Sequence, residues 1–323
     1  MSRRSRLAVY PLTLGVAVTL DFLLPRLMPG DPADLVFARF QGRLTPEAIE
    51  AMRAAWGLDD RPWPAQYADY LAGILRGDLG VSLSHFPAPV ADVVWQGLGW
   101  SALLGATATT AAFVIGTAIG AWSARFRGGL VDAVAPPALV LLGAFPYFWL
   151  AMAAVWVFGV SLGWTPTHGA WDPGLSPALT PTFFASLARH AALPGLTLVA
   201  ATTGGWVLTM RTQTLAELDQ EHVRHAVARG LAPGRIMLGH VVRSAIVPGL
   251  TSFGTALGYV VSGSLLTEMV FGWPGQGMLL LEAVRSQDLP LMQGLFLTIT
   301  VATLAANAAV DLALLALDPR SHA

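Results

Sequence analysis

Residues 93–124 read VVWQGLGWSALLGATATTAAFVIGTAIGAWSA, a run of 32 residues without Asp, Glu, Lys or Arg. A transmembrane helix needs about 20 mostly apolar residues, so this run is long enough to cross a bilayer. The whole chain has the same character, with 54% hydrophobic and 12% charged residues and a mean hydropathy of +0.57. Soluble domains carry about 25% charged residues. We therefore expect an all-α integral membrane protein.

Five further apolar stretches bring the predicted number of transmembrane helices to about six. Most are bounded by a charged residue at one or both ends, as membrane spans commonly are. The first contains Asp21 and Arg26 near its far end. The five stretches are Leu7–Met28, Ala133–Gly163, Ala191–Met210, Ser244–Thr267 and Leu289–Val310.

The distribution of arginine predicts the orientation of these helices. Loops on the cytoplasmic side carry an excess of basic residues, and all 19 basic residues of this chain are arginine. With both termini in the cytoplasm, most arginines fall in cytoplasmic segments, and the outer loop 164–187 has none. The long segment 29–92 holds five arginines and nine acids, but segments of this length translocate largely regardless of charge.

These spans divide the chain into four predicted segments. An N-terminal tail and first helix (1–28) precede an extracytoplasmic helical segment (29–96). A five-helix core (97–318) contains the cytoplasmic loop 211–247, and a cytoplasmic tail (319–323) follows. In the extracytoplasmic segment, Thr45-Pro46-Glu47 resembles the start of a helix that ends near Gly57. Residues 66–76 predict a second, amphipathic helix.

Several functional classes are excluded or disfavoured by composition. The chain has no cysteine, which removes thiolate metal sites and a cysteine nucleophile. It has no lysine and therefore no P-loop lysine, so it is not a conventional P-loop ATPase. Its net charge of −1 gives no basic field for nucleic acid. We expect no catalytic, cofactor or metal site, and we expect that the chain is not an enzyme.

The cytoplasmic loop has local signals of its own. Good helix formers occupy residues 221–229, and Gly230 suits the left-handed position that ends a helix. Pro233 suits the first turn of a new helix. The pattern predicts two short helices joined at Gly230, which would form a knob at the membrane surface that a partner protein could hold. The alternative is an amphipathic surface helix whose arginines attract anionic lipid.

The same loop, QEHVRHAVARGL at residues 220–231, resembles the EAA loop of binding-protein-dependent ATP-binding-cassette (ABC) importer permeases. It is most similar to the peptide/nickel subfamily, in which a proline follows the glycine by eighteen residues, as Pro248 follows Gly230. The sequence departs from that pattern at Glu221-His222 and at Val227. The positions that the resemblance assigns to ATPase coupling are Glu221, Arg224, Ala226, Arg229, Gly230, Leu231, Arg235, His240, Arg243 and Pro248.

Further motifs of this family occur in order along nearly the whole chain. The long segment after the first span is typical of the B-type subunit of oligopeptide, dipeptide and nickel permeases. The motifs are MPGDP (28–32), GLDD (57–60), GDLG (77–80), EMVFGWPGQG (268–277), DLP (288–290) and DPR (318–320).

The resemblance implies a type I ABC importer permease in a bacterial inner membrane. Such a chain pairs with a C-type permease subunit and with two ATPase subunits that bind ATP and Mg. An extracytoplasmic solute-binding protein delivers peptides or similar solutes, which cross by alternating access. Relatives of this kind carry dipeptides, oligopeptides, nickel, metal chelates, opines or glycosides.

Two other functional classes remain to be distinguished from an ABC permease. A secondary transporter would be driven by an ion gradient, and inverted repeats with paired interrupted helices would favour it. An intramembrane enzyme would need convergent polar residues in the middle of the membrane. The sequence displays neither pattern.

Some intramembrane residues are open to more than one interpretation. Asp21, Asn307 and Asp311 lie in or beside apolar spans, where we expect structural pairing or capping rather than a proton or solute role. The pairs Gly116/Gly120 and Gly254/Gly258 have the spacing that allows close helix approach. Packing within the chain and contact with another subunit both fit that spacing.

Overall fold

A computed structural model of the chain describes residues 3–27, 61–263 and 265–317. Within these ranges the regular secondary structure is helical, apart from one isolated antiparallel bridge between Val81 and Pro89, and the helices are joined by loops. The predictions for MPGDP, for the helix from Pro46 to Gly57, for GLDD, for DPR and for the C-terminal tail lie outside the described residues. The division into four segments stays a prediction.

The first half of the chain contains five α-helices and a terminal π-helical turn in its described part. They are α1 (Arg3–Arg26), α2 (Trp63–Arg76), α3 (Val90–Arg125), α4 (Leu130–Gly143), α5 (Tyr147–Ala154) and the π-helical turn Val155–Ser161.

The second half begins with a long helix and continues through shorter ones. They are α6 (Pro181–Leu218), α7 (Glu221–Ala228), α8 (Pro233–Ile236), a π-helical turn (Met237–Val241), α9 (Val242–Ala245), α10 (Val247–Gly263), α11 (Leu265–Phe271), α12 (Gln276–Ser286) and α13 (Leu289–Leu317).

Three of the predicted membrane spans are confirmed as single helices. Helices α3 and α6, and the part of α13 between Leu289 and Ala309, are each long and apolar enough to cross a membrane. Helix α6 has 38 residues and starts ten residues before the predicted span, because Thr180 caps its N-terminus by accepting a hydrogen bond from the Phe183 N–H.

The third and fifth predicted spans are each formed by two helices that meet at a bend. The third consists of α4 and the segment Tyr147–Ser161, which meet at a bend of 101°. Pro146 stands at this break, and the residue before a proline disfavours the helical conformation. The fifth bends by 49° between Ala245 and Val247, just before Pro248. That proline has no N–H to continue the helical ladder.

Counting each bent pair as one span gives five candidate spans among the described residues. The first predicted span has a shorter apolar part, Val9–Leu24. At 1.5 Å per residue this part is about 24 Å long, against a hydrocarbon core of about 30 Å.

The chain divides into two units, and the first consists of residues 1–101 and 274–308. Its core is formed where the start of α3 meets α12 and the start of α13, with Val90, Leu291 and Leu295 fully buried. Helix α2 confirms the amphipathic helix predicted for residues 66–76, while its place outside the membrane stays a prediction. It packs on α1 through Tyr67 and Tyr70, which both contact the buried Phe22 ring.

Two acidic residues of this unit have structural partners. The buried Asp21 accepts a hydrogen bond from the Tyr70 hydroxyl at 2.7 Å, which confirms the predicted pairing. The carboxylate of Asp288 accepts from the Ser82 hydroxyl at 2.6 Å and from the Ser84 N–H at 2.9 Å. It also accepts from the Leu291 N–H and so caps α13. The side chain of Asp311 lies outside the described part.

The second unit consists of residues 102–273 and 309–323. Here α3 and α6 approach closely at Gly116 and Gly120. A Cβ at Gly116 would lie 2.9 Å from the Thr203 carbonyl oxygen, and one at Gly120 would lie 2.5 Å from that of Val207. The first glycine pair therefore serves packing within the chain, because any side chain would separate the two backbones.

The loop between α5 and α6 is held by contacts with the end of α11 and with the first turns of α6. The Gly169 N–H donates to the Phe271 carbonyl at 2.8 Å. A Cβ on Gly272 would lie within 2.3 Å of the His168 ring atoms, so the ring rests on the glycine backbone. Asp172 binds the Ser186 hydroxyl at 2.7 Å and forms an ion pair with Arg189, both in the first turns of α6.

Candidate functional site

The loop after α6 begins with α7, whose C-terminal end is closed by Gly230. This glycine has φ of +73°, and its N–H donates to the Val227 carbonyl at 2.9 Å. The Leu231 N–H reaches back to the Ala226 carbonyl at 3.3 Å. These two bonds form a Schellman motif, which satisfies carbonyls that the helix end leaves free. The predicted helix and its glycine end are confirmed.

Two residues after Gly230 the chain enters α8, with Pro233 in its first turn as predicted. Helices α7 and α8 and the following π-helical turn enclose a small apolar core. Its buried members are Val223, Ala226, Ile236, Met237 and Val241, and Ala121 of α3 packs against them. We call residues 221–245 the knob, because they form a packed helical element on the end of α3.

The outer surface of the knob is basic with two apolar residues. Arg224, Arg229 and Arg235 are exposed, and none of them forms an ion pair with any residue in the described ranges. Val227 is 60% exposed and Leu238 is 73% exposed. These cationic and apolar side chains are accessible for contact with a partner.

The ten residues predicted for coupling separate into two groups by their burial. Ala226 is buried and Leu231 is half-buried, and both pack in the core of the knob, while His240 is half-buried. The other seven are exposed. They are Glu221, Arg224, Arg229, Gly230, Arg235, Arg243 and Pro248. Glu221 lies in the first turn of α7, where its charge favours the helix dipole.

An ionic anchor that was not predicted from the sequence lies next to the knob. Asp132, at the start of α4, binds Arg211 near the end of α6. Asp132 also accepts hydrogen bonds from the Ser123 hydroxyl and the Gly128 N–H. The anchor thus joins the end of α3, the turn after it and the helix that leads into the knob. A further bond, from Arg125 to the Pro233 carbonyl at 3.4 Å, contacts the knob itself.

The described residues contain no group of three or more His, Asp or Glu side chains that could hold a metal ion. What the knob offers is a contact surface. It is a small helical body with its own core, held on the ends of long helices, whose exposed side chains are mainly cationic. A surface of this kind is suited to bind an acidic groove on another protein and to move with it.

Two related family models of known proteins together match most of the chain. The family model described as "Binding-protein-dependent transport system inner membrane component" matches residues 116–322. Its N-terminal companion matches residues 1–105.

Similar proteins align over nearly their whole length. A protein described as a peptide permease from Brucella suis biovar 1 is 35% identical over 321 residues, which is 98% of each chain. A glutathione transport system permease protein from Pectobacterium atrosepticum is 34% identical, over 95% of this chain and 94% of its own. A di/tripeptide transport system permease protein from Pseudomonas aeruginosa is 31% identical, over 99% and 97%.

Proposed function

This chain belongs to the family of binding-protein-dependent inner membrane components and is the permease subunit of an ABC importer; from that premise we propose that its solutes are short peptides. Three relatives that align over almost the entire chain are named for peptides, for di- and tripeptides and for glutathione, which is itself a tripeptide. The proposed import proceeds by alternating access of a path between two permease subunits.

The proposed assembly contains a C-type permease subunit, two ATPase subunits and an extracytoplasmic solute-binding protein. The family description, which specifies dependence on a binding protein, supports the last of these. The absence of lysine from this chain supports separate ATPases, because a P-loop needs a lysine at the phosphates. ATP and Mg would bind to those subunits. Membrane lipid is the remaining partner, and no nucleic acid is expected.

The knob is the proposed contact with an ATPase subunit, and its structure is the observation that carries this proposal. Its buried core and its Schellman motif make it a rigid body, while Arg224, Arg229 and Arg235 lie on its surface. An ATPase with an acidic groove would bind these arginines and cover Val227 and Leu238. Closure of the ATPases would then move the knob and, through it, the long helices.

Transport by the reconstituted assembly tests the proposed function. Proteoliposomes that contain the chain and its partner subunits should take up a labelled dipeptide only with binding protein outside and ATP on the ATPase side. Collapse of the proton and sodium gradients should leave this uptake unchanged. Uptake driven by an ion gradient without ATP would instead support the alternative of a secondary transporter.

Charge reversal in the knob tests the proposed contact separately. Arg224→Glu should weaken co-purification of the ATPase subunits, and raising the salt concentration should weaken the wild-type association as well. Arg127→Glu is the matched control, because Arg127 is also exposed but lies in the turn after α3, outside the knob. Equal co-purification of both variants and the wild type would contradict the proposal.

The proposed orientation places the knob in the cytoplasm and the loop between α5 and α6 outside. Because the chain has no cysteine, single cysteines report on one position each. Leu179→Cys, at a side chain 92% exposed, should react with an impermeant thiol reagent in intact spheroplasts. Ala232→Cys, exposed in the knob, should react only after permeabilisation. The reverse pattern would overturn the orientation.

A further inference from the structure

The third span is interrupted between α4 and α5, and the interruption leaves backbone polar groups without partners. The two helices meet at a bend of 101°. Within the described part of the chain, the carbonyls of Ala144 and Phe145 accept no backbone hydrogen bond and the Tyr147 N–H donates none. Residues 143–147 are all exposed. In hydrocarbon, each backbone group of this kind would cost several kcal/mol.

The depth of the interruption can be measured along α6. At the start of α4, Asp132 is paired with Arg211 of α6. At the end of α4, Gly143 packs on the α6 backbone, where a Cβ would lie 2.9 Å from the Ala201 carbonyl oxygen. Ala201 and Arg211 are about 15 Å apart along the helix axis. The hydrocarbon core is about 30 Å thick, and a charged pair belongs at its edge. The interruption therefore lies near the middle of the bilayer.

Another carbonyl on the same side of α4 lacks its normal helical partner. Pro137 has no N–H, so it cannot pair with the Ala133 carbonyl four residues earlier. Both residues are exposed. Ala133 and Ala144 are eleven residues apart, which places them within about 20° around a helix. One exposed face of this span thus presents carbonyls both near the Asp132 end and at the interruption.

Neither lipid nor a neighbouring helix can readily satisfy this face. An acyl chain has no hydrogen-bonding group. A helix uses its backbone groups within itself, so only its polar side chains could pair with the interruption. Water satisfies donors and acceptors alike. Non-helical backbone at this depth is tolerated where it lines a water-filled cavity.

We propose that the interruption and the Ala133 face of α4 line the water-filled path of the solute. This inference rests on the proposed function and names part of the path that the function requires. Water pairs with the open carbonyls while the path is empty, and the N–H and ammonium groups of a passing peptide replace it. The peptide thus crosses the middle of the bilayer while its donors remain hydrogen-bonded.

Thiol accessibility tests this lining, because the chain has no cysteine. Ala144→Cys is assembled with its partner subunits in proteoliposomes, and a water-soluble methanethiosulfonate reagent is supplied on both sides. The matched control is Val114→Cys, at a side chain 58% exposed on the uninterrupted helix α3. Its depth is similar, because Gly116 packs against Thr203 and Val114 therefore lies near the level of Ala201.

The Ala144→Cys thiol should react about tenfold faster than the Val114→Cys thiol, because the thiolate is the reactive form and lipid excludes ions. Val140→Cys lies one turn before Ala144 on the same exposed face and should react as fast. It repeats the measurement if the first variant fails to fold. A bulky adduct in either variant should then reduce dipeptide uptake, while the same treatment of Val114→Cys should leave uptake unchanged.

Two results would overturn the proposal. The first is a reaction at Ala144→Cys and Val140→Cys no faster than at Val114→Cys, since lipid or a partner subunit would then cover this face. The second is fast reaction with undiminished uptake, since the water would then fill a cavity outside the solute path. The thiol rates do not depend on transport, and uptake by the unmodified assembly tests the proposed function independently.

Discussion

Asp132 and Arg211 are 79 positions apart in the chain and form a bidentate ion pair in the second unit. The Nε of Arg211 lies 2.6 Å from one oxygen of Asp132, and its Nη2 lies 3.0 Å from the other. Paired geometry of this kind is stronger and more directional than a single contact. The side chain of Asp132 is only 7% exposed, so the pair fixes the start of α4 to the helix that enters the knob.

This pair should behave as one unit in a double-mutant cycle. Asp132→Ala and Arg211→Ala should each lower the thermal unfolding midpoint in detergent, because each leaves the other charge without its partner. The unfolding midpoint of the double variant should be little lower than that of either single variant. Additive losses would show that the two side chains act independently, against the contact described here.

At Gly230 the backbone conformation, rather than the space around the residue, should determine which substitutions are tolerated. A Cβ there meets no atom of the chain within 4 Å, but φ is +73°. Gly230→Val should therefore cost roughly 1–2 kcal/mol at the end of α7. Abundance in the membrane should change little, while co-purification of the ATPase subunits and transport should fall strongly.

Two further variants in the knob separate the effect of backbone strain from the effect of side-chain bulk. Gly230→Asn should retain most of the transport, because asparagine adopts the left-handed conformation more readily than other residues. Gly234→Ala adds a Cβ in the same knob where φ is not positive and no atom lies within 4 Å, so it should be neutral. If the valine variant transports at the wild-type rate, the knob is not the coupling element.

The close approach of α3 and α6 should make Gly120 intolerant of even one methyl group. Gly120→Ala places a carbon 2.5 Å from the Val207 carbonyl oxygen, and the backbones must separate. We expect a loss of about 1–3 kcal/mol, typical of overpacking, in reversible unfolding measurements. Gly205→Ala, in the same α6 with no atom within 4 Å, should be neutral or stabilising. Equal effects of the two would contradict this packing.

The attachment of the loop between α5 and α6 to α6 should resist acid. The hydrogen bond from the Ser186 hydroxyl and the nearby charge of Arg189 hold the pKa of Asp172 below its usual range. A lowered folded pKa means that the attachment is fully present above the ordinary aspartate pKa of about 3.9. It is then lost as the pH falls through the lowered value.

A spin label on Leu179→Cys can report this attachment, because no other cysteine is present. The mobility of the label should be the same at pH 7 and at pH 5, and it should increase only in stronger acid. In an Asp172→Ala background it should be mobile at every pH. A wild-type transition near pH 5 would show that the carboxylate is not stabilised by these contacts.

Hydropathy did not predict the bends within the third and fifth spans. Residues 133–163 are continuously apolar, and this property predicted one helix. The break at Pro146 is a backbone effect, to which a sum of side-chain hydrophobicities is insensitive. The helices of the knob, in contrast, were predicted from the sequence because their signals are local. These signals, Gly230 at a helix end and Pro233 at a helix start, act over one turn and need no distant partner.

The sequence by itself determined that the chain is a helical membrane protein, where three of its spans lie, and which loop forms the knob. Each of these follows from local composition or from one residue's backbone preference. Only the tertiary structure decided that Asp132 meets Arg211, that Asp21 meets Tyr70 and that Gly120 packs on α6. Those contacts join residues far apart in the chain, and a side chain's partner across 50 or 80 residues depends on how whole helices pack.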